Sequence, residues 1–202
     1  MPLYDYSQMK EAFSRPLRRA GGAASALLMF AALLLAAAGV SANEPMTLDA
    51  VRERVIQDYP AVSQISTGEA AELMARDDGV LLFDVREADE YAVSRIPGAI
   101  RVDPGIWTFS FMSRFGDQLA GKTLIFYCSV GVRSAQLAQQ VQQEALAAGA
   151  IAVYNLDGGI FAWHNEEREL ENDFGATEFV HPYDSYWGRL VERASLIRTR
   201  PE

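Results

Sequence analysis

The chain has 202 residues, half of them apolar, enough for one globular core and too few for two full-sized domains. Its 18 basic and 27 acidic residues leave a net charge of −9, with no Lys/Arg stripe to neutralise phosphates, which argues against nucleic acid as a partner. One cysteine, Cys128, and two histidines far apart in sequence, His164 and His181, exclude an intramolecular disulfide and a zinc cluster.

The N-terminus carries Arg15, Arg18 and Arg19 just ahead of Ala20–Val40, a run of 21 residues without a charge. Val40-Ser41-Ala42 then offers the small residues that a signal peptidase requires, so residues 1–42 read as an export signal cleaved after Ala42, or as a membrane anchor if the segment is retained. In both cases the positive residues stay inside and the rest of the chain lies in the periplasm. Removing residues 1–42 leaves 14 basic and 25 acidic residues, a net charge of −11.

From Thr47 to Tyr59 the apolar residues Leu48, Val51, Val55 and Tyr59 recur at helical spacing behind a Thr that can cap, which predicts an amphipathic helix ended by Pro60. Ser66 or Thr67 caps a second helix over Glu69–Arg76, closed by Asp77-Asp78-Gly79. Val80–Val85, Leu124–Tyr127 and Ala152–Leu156 are short apolar runs bounded by turn residues, the mark of strands buried on both faces of a parallel sheet. Between the last two strands, Ser134–Ala148 reads as a crossover helix stopped by Gly149. After the polar stretch Glu171–Thr177, Tyr183–Ile197 places Trp187, Leu190, Val191, Ala194 and Ile197 on one helical face, predicting a helix packed back on the core. The order is that of an α/β fold, with ligands expected at the carboxyl ends of the strands.

Cys128 lies at such an end. Cys128-Ser129-Val130-Gly131-Val132-Arg133-Ser134 joins a buried strand to a helix, where backbone amides and the positive helix end favour a thiolate over a thiol. Gly131 lets the loop curl, and Arg133, the one formal cation in it, either adds to that stabilisation or fixes the loop by pairing with a carboxylate such as Asp84 or Glu87. Asp84 and Arg86 are expected to pair with each other or with Arg133. Pro97-Gly98 predicts a fixed turn, the second glycine of Gly158-Gly159 a close backbone approach, Trp163 a core position and His164 a solvated one.

Four ordered stretches resemble the rhodanese-homology family: Asp84-Val85-Arg86-Glu87, Arg95-Ile96-Pro97-Gly98-Ala99-Ile100, Cys128–Ser134, and Leu156-Asp157-Gly158-Gly159-Ile160-Phe161-Ala162-Trp163. The resemblance implies a rhodanese-like parallel sheet flanked by helices, here preceded by the signal or anchor segment. It also implies sulfurtransferase activity, with Cys128 as the sulfur-carrying catalytic residue. Ser129, Val130, Gly131, Val132, Arg133 and Ser134 would bind substrate, and Asp84 and Arg86 would support them. The six-residue loop resembles that of sulfurtransferases, one residue shorter than in related phosphatases. Ser94-Arg95 stands where the family has Gly-His, and thiosulfate-specialised members carry more cations than this loop offers.

The expected organisation is residues 1–42 as signal, 43–62 as a helical extension, 63–170 as the rhodanese domain and 171–202 as a C-terminal extension with a helix. Expected partners are a small sulfur donor, thiosulfate or a persulfide, and a thiol or cyanide acceptor; no metal or organic cofactor is expected. A module that carries sulfur or senses redox state without catalysis is the alternative reading.

Overall fold

The computed structural model describes residues 46–76 and 79–201, so the expected export segment lies outside the described residues. Helix α1 spans Leu48–Asp58, and the Thr47 hydroxyl accepts from the Ala50 amide at 3.1 Å, as the sequence predicted. Helix α2 spans Thr67–Arg76. Its cap is Ser66: the Ser66 Oγ accepts from the Glu69 amide at 3.2 Å while the Glu69 carboxylate accepts from the Ser66 amide at 3.1 Å, a reciprocal capping box.

The expected strands are β2 (Val80–Asp84), β4 (Thr123–Tyr127) and β5 (Ala152–Leu156). Two short strands complete the sheet, β1 (Ser63–Ile65) and β3 (Ile100–Arg101), in the all-parallel order β1-β5-β4-β2-β3. Every residue of the central β4 is buried, which explains its lack of alternation. Helices α3 (Ala88–Val93), α4 (Thr108–Phe115), α5 (Val132–Ala147) and α6 (Gly159–Asn165) connect or follow the strands. Phe83 of β2 and Phe126 of β4 meet Phe111 and Phe115 of α4 in a cluster with ring centroids 5.0–5.7 Å apart. Each of these four buried rings contributes about 2 kcal/mol of hydrophobic stabilisation.

The expected helix over Tyr183–Ile197 is absent. The polar stretch forms instead an antiparallel hairpin, β6 (Leu170–Asn172) with β7 (Gly175–Thr177), and the chain beyond it makes two single 3-10 turns, Trp187–Leu190 and Ala194–Leu196. Three of the five apolar side chains expected on that face do turn inward, Trp187, Leu190 and Val191, whereas Ile197 is half-buried and Ala194 exposed. Tertiary partners take the backbone groups a helix would have used. The Asn165 amide bonds the Leu190 carbonyl at 2.9 Å and accepts from the Glu192 amide at 3.0 Å, and Val180 bonds Leu196 and Arg198 through its backbone. Among the described residues no helix is long and apolar enough to cross a membrane.

Candidate active site

Strand β4 delivers the chain to Cys128, and α5 begins at Val132, two residues earlier than expected, so Arg133 and Ser134 form its first turn. Gly131 occupies the N-cap position with φ +95°, a conformation that glycine adopts without strain, and a β-carbon there would approach Asn155 Nδ2 at 3.2 Å. All seven residues from Cys128 to Ser134 are buried. Burial pushes the Cys128 thiol up, but the Arg133 charge, the Ser134 amide and hydroxyl and the Val130 amide outweigh it and hold the group below the ordinary thiol range.

A second helix N-terminus holds the loop from behind. The Ile160 and Phe161 amides of α6 donate to the carbonyls of Cys128 and Ser129 at 2.9 and 3.0 Å. That approach requires Gly159, whose φ is +58° and whose absent β-carbon would lie 2.4 Å from the Cys128 carbonyl oxygen. The closing motif Leu156–Trp163 is thus a buttress for the Cys128 loop, as the glycine pair suggested.

Arg133 does not pair with Asp84 or Glu87. Its guanidinium forks onto Glu90 of α3, Nη1 to Oε2 at 2.7 Å and Nη2 to Oε1 at 2.8 Å, and also donates to Ser129 Oγ at 3.0 Å. Ser129 in turn donates to Glu90 at 2.8 Å. Burial raises the Glu90 carboxyl, yet Arg133, Arg86 and the Glu87 amide bring it down to about 2. Sequence reasoning overlooked Glu90. The available signal was its place three residues after Glu87, at capping-box spacing, and the Glu87 amide does donate to it at 3.1 Å.

Asp84 and Arg86 pair with each other at 2.8 and 2.5 Å, both fully buried. Their further partners lie outside the loop: Arg86 donates to the Ser94 carbonyl at 2.6 Å and the Tyr127 hydroxyl to Asp84 at 2.7 Å, while Tyr127 accepts from the Ile96 amide. Ser94, in the place of the family's glycine, therefore serves through its carbonyl. Arg95, in the place of the histidine, stacks on Tyr91 and pairs with Asp173 at 2.9 Å, tying this segment to the β6–β7 hairpin. The Ile96 carbonyl accepts from the Ala99 amide at 3.1 Å across Pro97-Gly98, the expected turn.

His164 is buried, not solvated: its Nε2 lies 2.9 Å from the Glu178 carbonyl, and its own carbonyl accepts from Arg193. Trp163 is buried as expected and donates to the Glu169 carbonyl. The post-hairpin segment reaches the site through Tyr183, whose ring lies 4.8 Å from the Arg133 guanidinium carbon. A groove of about 590 Å³ beside the hairpin, lined by Arg168, Phe174 and Glu178 among others, shares no residue with the Cys128 loop. Among the described residues no cluster of His, Cys, Asp and Glu could hold a metal.

The model of the Rhodanese-like domain matches residues 66–166, half of the chain. YtwF of Bacillus subtilis, named as a sulfurtransferase, is 26% identical over 53% of this chain and 95% of its own length. A protein named sulfurtransferase in Allochromatium vinosum is 29% identical over 50% of this chain and 88% of its own. The tRNA uridine(34) hydroxylase of Thiobacillus denitrificans is 32% identical over 53% of this chain, which spans only 43% of that relative.

Proposed function

We propose that this chain, which belongs to the Rhodanese-like domain family, is a sulfurtransferase that carries sulfane sulfur as a persulfide on Cys128. The observation that carries the reading is a fully buried thiol held below its ordinary range by Arg133 and the amides of Val130 and Ser134. That displacement favours the thiolate, the form in which a cysteine acts as nucleophile. The Cys128 thiolate attacks the outer sulfur of a donor, thiosulfate or a persulfide; the donor's S–S bond breaks, sulfite or a thiolate leaves, and Cys128 keeps one additional sulfur. The loop Ser129–Ser134 encloses that sulfur, with Asp84 and Arg86 fixing the β2 end beside it. A second nucleophile, a thiol or cyanide, then attacks the outer sulfur and regenerates the thiolate, so the kinetics are ping-pong. The Arg-flanked run Ala20–Val40 supports a periplasmic setting for this chemistry.

The test is the intact mass of the purified protein after incubation with a donor, followed by thiocyanate formation on adding cyanide. A gain of one sulfur, lost to cyanide and abolished in Cys128→Ser with the fold retained, is the expected result; turnover in Cys128→Ser would overturn the assignment. The absence of exposed surface on Cys128 favours one second reading, a carrier or redox-sensing module that opens to a protein partner. Such a module would load once and discharge only to that partner, whereas an enzyme turns over a small donor repeatedly.

A further inference from the structure

Every residue from Cys128 to Ser134 is buried, so a donor or acceptor reaches the sulfur only after something moves. Among the loop's side chains Arg133 comes nearest to solvent, 9% exposed against 2% or less for Cys128, Ser129, Val130, Val132 and Ser134. Tyr183 lies there, its ring 4.8 Å from the guanidinium carbon. It comes from beyond residues 66–166, so this cover is an addition to the matched domain.

Tyr183 belongs to a strap, residues 180–187, that is pinned at both ends. At one end the Val180 amide donates to the Leu196 carbonyl at 3.1 Å, and the Val180 carbonyl accepts from the Arg198 amide at 3.0 Å. At the other, Trp187 is buried and its amide donates to Asp184 Oδ1 at 3.0 Å. Between them Tyr183 holds a left-handed backbone, φ +63°, a conformation that costs a residue other than glycine and that marks clamps and switches. In this conformation the Tyr183 amide donates to His181 Nδ1 at 3.0 Å. That bond requires a neutral imidazole, because a protonated ring carries hydrogen on both nitrogens and cannot accept. His181 is buried and faces Asp89 and Glu90 of α3 and the guanidinium groups of Arg86 and Arg133. Burial, together with the two cations, outweighs the two carboxylates and resists protonation while the strap is in place. An opened strap gives the ring to water, so acid favours the open state.

We propose that residues 180–187 form an acid-released lid over the Cys128 loop: protonation of His181 breaks its bond to the Tyr183 amide, and Tyr183 withdraws from Arg133. As a gate for sulfur, the lid rests on the reading of Cys128 as a sulfur carrier. Opening takes up one proton at Nδ1 and breaks no covalent bond.

The test uses the full-length protein. Backbone hydrogen exchange over residues 180–187 is compared between about pH 7.5 and about pH 5.5, after correction for intrinsic exchange rates. In parallel, the alkylation rate of Cys128 is divided by its thiolate fraction from absorbance, which leaves accessibility. Both readings should rise about tenfold on acidification, the change that one proton supplies per pH unit, while exchange in β4 stays constant. Tyr183→Ala should expose Cys128 at both pH values. His181→Asn, whose amide oxygen replaces Nδ1 as acceptor but does not titrate, should stay closed at both. Readings that do not change with pH in the wild type, or a rise that persists in His181→Asn, overturn the lid. If His181→Asn does not fold, Tyr183→Ala decides, and the wild type's full pH response surviving in it overturns the lid. Should acid open Cys128 while no donor loads it at either pH, the lid stands and the sulfur carrier falls.

Discussion

Burial alone would push the Cys128 thiol up and leave it inert at neutral pH, so the groups that outweigh burial are the ones to change. Arg133→Met removes the nearest cation and strands the Glu90 carboxylate, and both effects disfavour the Cys128 thiolate. The alkylation rate of Cys128 should therefore follow a pH profile moved to higher pH, with the same displacement in a thiolate absorbance titration. The variant should also lose about 3 kcal/mol in chemical denaturation, the cost of leaving a buried charge uncompensated. An unmoved profile would mean that the amides of Val130 and Ser134 suffice. The pairing of Arg133 with Glu90 was not legible in the sequence because 43 residues separate the partners, and the capping-box spacing that marks Glu90 says nothing of Arg133.

Two helix N-termini meet at one loop, α5 continuing from it and α6 donating to its carbonyls. Gly159→Ala should therefore cost well over the ordinary penalty of a left-handed residue. Its β-carbon would sit 2.4 Å from the Cys128 carbonyl oxygen and 2.8 Å from Ser129 backbone atoms, none of which can give way without moving the loop. Gly98 offers the control, with φ +76° and nothing within 4 Å of its β-carbon, so Gly98→Ala should cost only about 1 kcal/mol. Thermal denaturation of the two variants compares them directly, and equal losses would remove the buttressing role of α6. The second glycine's role was legible from the motif, whereas α6 itself was not: seven residues give a helical period too little length to register. The same holds for α3 with six residues and for β1 and β3 with three and two, which pair only because longer neighbours already define the sheet.

Across the whole molecule, buried titratable groups make stability depend on acidity. Burial first of all holds both histidines below their ordinary 6.5, so each binds fewer protons folded than unfolded, and stability falls as the pH drops through about 6.5. Glu90 falls from its ordinary 4.5 to about 2, so the stability its ionisation supplies is fully present above 4.5 and is lost as the pH falls toward 2. Urea midpoints measured against pH should show both stages, and Glu90→Gln should flatten the second; a second stage unchanged in that variant would assign it to other carboxylates. The sequence by itself determined the longer, more strongly patterned parts: β2, β4 and β5 as largely apolar runs, α1 by period and cap, α2 by its cap and closing turn, α5 by its composition and the Gly149 stop, and the placing of Cys128 at a strand end. These follow from near neighbours in the chain, where periodicity and turn chemistry act. Only the tertiary structure decided that Glu90 holds Arg133, that His164 is buried, and that Asn165 captures the Leu190 and Glu192 backbone in place of a final helix. Each of those outcomes depends on which distant group supplies a buried donor or acceptor with its partner, and that choice exists only once the sheet has brought the candidates together.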